Sequence, residues 1–259
     1  MKKSLVVFVV ALAVLSSAAV LFAAPRGGAA GTLSFYTGEV MVQAKGAAWR
    51  KAGLDAPIYI GDTIRTGADS TAELTLSDGS ILRMGANGRH RVEKASFAGK
   101  GRVVNVFSTA GRLWVNARTA VGKNSEFKVS TDKAVCAIRG TAFDVNAQAA
   151  ETTISVFEGR VETWAQVFDR RYSGSAKKSQ DRPEKVAGPS PVAGPTPVTM
   201  EKWVQIVAAM QRIRVDAKGG FALSDVAADE AETDSWLKWN RERDRMRDQL
   251  IAPEDPEAK

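Results

Sequence analysis

Residues 32–163 are short segments of alternating apolar and polar side chains cut by glycine turns, a rhythm that dictates extended structure. Val40-Met41-Val42 and residues 72–76, 103–107, 113–115 and 127–129 are examples, and no long 3.6-residue period lies between them. Many short strands at this spacing build a sandwich or barrel rather than βαβ units. The stretch AIRGTAFDV, residues 137–145, reads as a half-buried strand interrupted at Arg-Gly-Thr. Gly140 has no Cβ, so a bulge is expected there that swings Phe143 and Val145 back to the core.

One hairpin can be registered residue by residue. With Ser77-Asp78-Gly79 as a three-residue loop and Gly79 left-handed, Leu76 faces Ser80, Leu74 faces Leu82, and Ala72 faces Met84. The other face then pairs Glu73 with Arg83 and Thr75 with Ile81. A one-residue slip would set Leu74 and Leu76 against Ile81 and Arg83, a poorer match. A second hairpin is expected over 154–163, turning at Glu158-Gly159, with Val156 meeting Val161.

Four motifs in order carry a resemblance. They are Gly61-Asp62-Thr63-Ile64-Arg65-Thr66-Gly67, Leu74 to Ser80 with its Asp78-Gly79 turn, Arg139-Gly140-Thr141-Ala142-Phe143, and the Glu158-Gly159 turn. Over residues 38–163 the chain resembles the FecR domain, which takes its name from the ferric-citrate signal transducer of Gram-negative bacteria. The resemblance implies an all-β, jelly-roll-like sandwich of short antiparallel strands and a non-catalytic periplasmic domain. Gly61, Asp62, Gly67, Asp78, Gly79, Gly140, Thr141, Phe143 and Gly159 would be its structural positions. The membrane-bound transducer carries an anti-sigma region ahead of its span, where this chain has three residues. The expectation is therefore a stand-alone sensing, regulatory or scaffolding module, with no iron-transport role carried over.

The flanks set the compartment and the boundaries. Met1-Lys2-Lys3 followed by the apolar run 5–24 reads as an export signal, with an uncleaved anchor as the alternative. Residues 32–172 form the β domain and 173–198 a polar, Pro-rich linker containing VAGPSP and VAGPTP. Residues 199–251 read as two helices docking on that domain. The first carries Trp203, Val207, Met210 and Ile213 behind a Thr199 cap. After an acidic loop at 225–234, the second starts at Asp234, with Trp236, Trp239, Met246 and Leu250 on its apolar side.

Reactive chemistry is scarce. His90 is the sole histidine and Cys136 the sole cysteine, which excludes the usual zinc and haem ligand sets and any internal disulfide. His90, between Arg89 and Arg91, reads as a solvated loop residue with no G-x-S-x-G serine motif to serve. Cys136 reads as a small core residue. A carboxylate-pair glycosidase or lyase would need two facing acids, whereas Asp62, Asp78 and Asp144 have turn or solvent-facing roles. No catalytic residue, metal or cofactor is expected. A net charge of +7 in an exported chain reads first as a solubilising surface charge, with attraction to anionic envelope polymers or lipid headgroups as the second reading and nucleic acid a poor one.

The binding candidates are cationic and aromatic. Arg65 and Arg139 either present guanidinium groups to an anionic partner or tie down loop carbonyls and Asp62 or Asp144. Trp114, out of phase with Leu113 and Val115, is expected at the surface. With Trp164 it could stack on sugar rings, or both could be covered by the C-terminal helices. The partner is an envelope protein, with a cell-wall glycan (peptidoglycan or exopolysaccharide) as the alternative. Membrane contact would come only through the N-terminal segment.

Overall fold

The structure, a computed structural model, describes residues 28–97, 101–118, 125–138, 140–166 and 204–251. The export segment, Arg139, the Pro-rich linker, Thr199 and Trp203 lie outside the described residues. Seventeen strands are present among the described residues. In chain order they begin with β1 (Ala29–Thr37), β2 (Val40–Gln43), β3 (Arg50–Lys51), β4 (Pro57–Tyr59), β5 (Thr63–Thr66) and β6 (Thr71–Leu76). Next come β7 (Ile81–Met84), β8 (Arg89–Ser96), β9 (Val103–Asn116), β10 (Glu126–Ser130), β11 (Ala134–Ile138) and β12 (Ala142–Ala147). The last are β13 (Glu151–Glu158), β14 (Arg160–Ala165), β15 (Gln205–Ala208), β16 (Gln211–Asp216) and β17 (Phe221–Asp225). Two helices follow among the described residues, α1 (Ala228–Thr233) and α2 (Ser235–Ile251).

The strands form a β-sandwich of two layers joined through β9. Layer A runs β4-β1-β6-β7-β9-β12-β13-β16-β17. Layer B runs β3-β2-β5-β8-β9-β10-β11-β14-β15, in which β9–β10 is parallel and the other pairs are antiparallel. The first part of β9 pairs with β8 and β10, and the part from Gly111 onward pairs with β7 and β12. Gly111 sits at the bend with φ 82°, and a Cβ there would lie 2.6 Å from the Gly88 Cα. Only glycine fits that corner. Inward-facing Leu33, Ile58, Ile64, Leu74, Leu82, Leu113, Phe127 and Phe143 fill the space between the layers.

The 72–84 hairpin has the register read from the sequence: Ala72↔Met84, Glu73↔Arg83, Leu74↔Leu82 and Thr75↔Ile81. Gly79 takes φ 81°, its N–H donates to Leu76 O at 2.8 Å, and Asp78 caps the turn through Ser80 N and Oγ. The Gly61 turn is held by Asp62, buried, whose Oδ2 accepts from Tyr59 N at 3.1 Å. Gly67 N donates to Glu39 O beside Ser70.

Other expectations are corrected. The 137–145 stretch is not one kinked strand. The chain leaves layer B after β11 and enters layer A as β12, with Gly140 (φ 67°) in the crossover and Thr141 Oγ1 donating to Arg160 O. Phe143 and Val145 do reach the core. Glu158-Gly159 is likewise a corner, not a hairpin turn: β13 pairs with β12 and β16 in layer A, β14 with β11 and β15 in layer B. Val156 and Val161 enter the core from opposite layers. The segment expected as the first C-terminal helix is the strand pair β15 and β16, which continue both layers, because β14 and β13 each offer an open edge that outweighs helical spacing. The acidic 225–234 stretch contains the short α1.

His90 is the sharpest correction. It lies on β8 opposite Ile64 and Ser108, 1% exposed, because alternation with Val92 points it inward while Arg89 and Arg91 face out. Neither ring nitrogen has a hydrogen-bond partner among the described residues, and burial pushes its pKa down to about 3. The unfolded chain takes up that proton near the ordinary 6.5, so stability falls as pH drops from 6.5 towards 3. The loss is about 1.4 kcal/mol per pH unit at most. Urea unfolding between pH 6.5 and about 5, above the carboxylate range, is expected to show this slope in the native chain and a flat profile in His90→Leu. Gly88→Ala should destabilise outright, since its Cβ would meet His90 Nε2 at 2.6 Å.

Candidate functional site

The outer face of layer A carries a polar row beneath the helices. Cross-strand register aligns Phe35, Glu73, Arg83, Trp114, Asp144, Ser155 and Arg212 on successive strands. Arg83 is the hub: Nε meets Glu73 Oε2 at 2.6 Å, and Nη1 meets Asp244 Oδ1 at 2.7 Å. The same Nη1 donates to Asn240 O at 3.2 Å, which ties the row to α2. Glu73 also accepts from Ser34 Oγ at 3.0 Å and Arg243 Nε at 3.1 Å. Asp144 Oδ2 accepts from both Arg112 Nε and Nη2, and its Oδ1 accepts from Trp236 Nε1 at 2.7 Å. Arg212 meets Ser155 Oγ at 2.9 Å and Glu230 of α1 at 2.6 Å.

Asp234, read from the sequence as the start of this helix, caps α2 and accepts from Trp236 N and Leu237 N. The docked face of α2 is Trp236, Leu237, Trp239, Asn240, Arg243, Asp244 and Arg247, a helical stripe that mixes apolar and charged side chains. Of the expected apolar stripe, Trp236 and Trp239 face the sheet, whereas Met246 is 49% and Leu250 86% exposed. Asp144, expected to face solvent, is buried because α2 covers its side of the sheet.

Burial raises the pKa of Glu73, but hydrogen bonds from Arg83 and Arg243 outweigh it and hold the carboxyl below its ordinary value. Asp234 is likewise lowered, with burial opposed by Arg112. For Asp144, deeper in, burial wins over Arg112 and pushes the carboxyl up. Cys136 is a core residue as expected, its thiol pushed up to about 12 by burial.

The binding candidates separate. Trp114 is 1% exposed, not at the surface: it stacks on Phe157 at 5.2 Å, and its Nε1 donates to Asp244 Oδ2 at 2.8 Å. Arg65 is exposed on the outer face of layer B, its Cζ 4.8 Å from the Trp49 ring centroid and Asp62 not its partner. Trp164 is half-buried on that same face, with Lys128 Nζ 5.7 Å from its ring. The structure thus brings Arg65 and Trp164 to one face and removes Trp114 to the other. Sequence reasoning missed Arg112, Asp244 and Arg89. The out-of-phase Trp114 was the one signal that a covered polar face existed.

Residues 62–162 match the FecR protein family, in agreement with the resemblance carried by the four sequence motifs. That match supports a regulatory or sensing role rather than a catalytic one. Two crystal structures, at 1.65 and 2.50 Å, of a protein from Parabacteroides distasonis proposed to be an anti-sigma factor are 20% identical to this chain with TM-scores of 0.44. They align with 68% of this chain and with 64% and 63% of their own lengths, less than two thirds. That likeness is too loose to carry residue roles across. A search of curated proteins returned no match.

Arg83→Ala would leave Asp244 buried without an ion-pair partner and Glu73 with Arg243 alone, with an expected cost of about 3 kcal/mol. Near-UV circular dichroism should report the loss of the Trp114 and Trp236 environments. Acid should act similarly. Glu73 and Asp234 have lowered values, so their contribution is present above the ordinary carboxylate range and is lost as pH falls through their folded-state values. Asp144 acts in the opposite sense, which softens the transition without removing it. Limited proteolysis of α2 should accelerate below about pH 4 while staying slow at neutrality.

Proposed function

We propose that this chain is an exported, non-enzymatic sensing or regulatory module that works by binding a protein partner at the open edge of layer A. The observation that carries the reading is the contrast between the sheet edges. At the N-terminal side, β3 is two basic residues and β4 begins with Pro57, both devices that block strand addition. At the C-terminal side, β17 offers five residues without proline or lysine, and no described strand pairs with its outer edge. Leu223 on β17 is 52% exposed. An extended segment of a partner, apolar at alternate positions, fits such an edge by backbone hydrogen bonding.

A glycan is the weaker occupant of layer A. Trp114 is buried under α2, and the cleft of about 550 Å³ lined by Phe35, Trp236 and Trp239 has its rings already matched to arginines. Arg243 lies 4.4 Å from the Phe35 centroid and 5.2 Å from that of Trp239, and Arg112 lies 5.8 Å from that of Trp236. The N-terminal apolar run supports export, and among the described residues no helix is long and apolar enough to cross a membrane.

Leu223→Lys places a charge on the open edge without touching the core. Its thermal stability should match that of the native chain within about 0.5 kcal/mol. Envelope proteins cross-linked to the native chain, identified and then purified, should bind the variant about tenfold more weakly or worse. Equal binding would remove β17 as the interface. Cell fractionation should place the full chain in the envelope.

A further inference from the structure

The outer face of layer B carries charges that the fold leaves uncompensated. Cross-strand register places Lys51 opposite Met41, Met41 opposite Arg65, and Arg65 opposite Arg89, so three cations share one row across β3, β2, β5 and β8. Directly opposed like charges destabilise a strand pair. Arg65 and Arg89 are such a pair, and neither has an ion-pair partner among the described residues. Trp49 lies against both, with Cζ distances to its ring centroid of 4.8 Å for Arg65 and 5.5 Å for Arg89. The neighbouring row carries Phe107 opposite Arg91 and continues through Ser130, Val135 and Trp164. Arg91 and Lys128 have carboxylate partners in Glu93 and Glu126, so the unneutralised charge is concentrated at Lys51, Arg65 and Arg89.

We infer that this face binds an acidic polysaccharide laid across the strands, with its carboxylates on Arg65 and Arg89. The two guanidiniums lie against the Trp49 ring, and with no carboxylate partner among the described residues they have N–H donors to offer carboxylate oxygens. Adjacent strands lie about 4.8 Å apart, so the row offers repeated charge to a linear polymer rather than a pocket to a small anion. Sugar rings also present C–H faces to the interleaved Trp49, Phe107 and Trp164. A peptide recognised through its backbone would need a sheet edge instead. A bilayer would need apolar side chains projecting from the face, where Trp49 is instead matched by arginines. The surface is separate from the β17 edge, so it stands or falls independently of the protein-binding reading.

The test uses the full chain in native gels containing polygalacturonate, neutral dextran or poly-L-glutamate. Polygalacturonate should retard the native chain and dextran should not, with retardation weakening as salt is raised. Arg65→Ala/Arg89→Ala should bind polygalacturonate about tenfold more weakly. Lys218→Ala/Lys238→Ala, which removes the same charge from exposed positions elsewhere, should bind as the native chain does. Trp49→Leu should weaken polygalacturonate binding and spare any polyglutamate binding. Equal losses in the two charge variants, or polyglutamate binding as tight as polygalacturonate binding, would overturn the proposal. Leu223→Lys should leave polygalacturonate binding unchanged, so failure at one surface is distinguishable from failure at the other.

Discussion

The architecture depends on one strand belonging to both layers. By turning at Gly111, β9 contributes its first part to layer B and its second to layer A, so neither layer is complete without the same covalent segment. The close approach of Gly111 to Gly88 fixes where β8 and β9 cross. The inward orientation of His90 is set in the same region, with its Nε2 directly above the space a Gly88 side chain would need. Tight backbone contact and an unpartnered buried imidazole are two aspects of one corner.

The seal over layer A is made of a different material. Most helices bury an apolar stripe, yet α2 meets the sheet with Asn240, Arg243, Asp244 and Arg247, and the sheet answers with Glu73, Arg83, Arg112 and Asp144. Trp114, Phe157, Val226 and Leu237 form only a small apolar cluster beside this network. Charge pairs of this kind add less net stability than apolar packing would, but they tolerate little error in position. They fix the register of α2 along the row, since a shift of one turn would take Asp244 away from both Arg83 and Trp114. The same arrangement leaves the outer face of layer B free of helical cover among the described residues.

What could be read in advance follows how local the deciding forces are. The 72–84 hairpin was legible because Asp78-Gly79 and the alternation around it decide register within a dozen residues. The α2 start was legible because Asp234 is a local cap. Residues 205–216 were misread because Val207, Met210 and Ile213 satisfy helical spacing, while Ile213 and Val215 equally satisfy a strand. The open edges of β13 and β14 break that tie, and they are distant in sequence. His90 was misread because its arginine neighbours suggested solvent. Asp144 was read as solvent-facing because the element that covers it begins some ninety residues later. Of the binding candidates, Arg65 and Trp164 share a face only because layer B continues from β5 through β9 to β14, which no local pattern announces.

The unequal edges of the sandwich limit how it can assemble. A sheet with both ends available propagates, each added copy exposing a fresh end for the next. Here β4 refuses addition while β17 accepts it, so two copies meeting at β17 would use up the open edge of layer A. Layer A would then have no free border left from which to extend into a fibre.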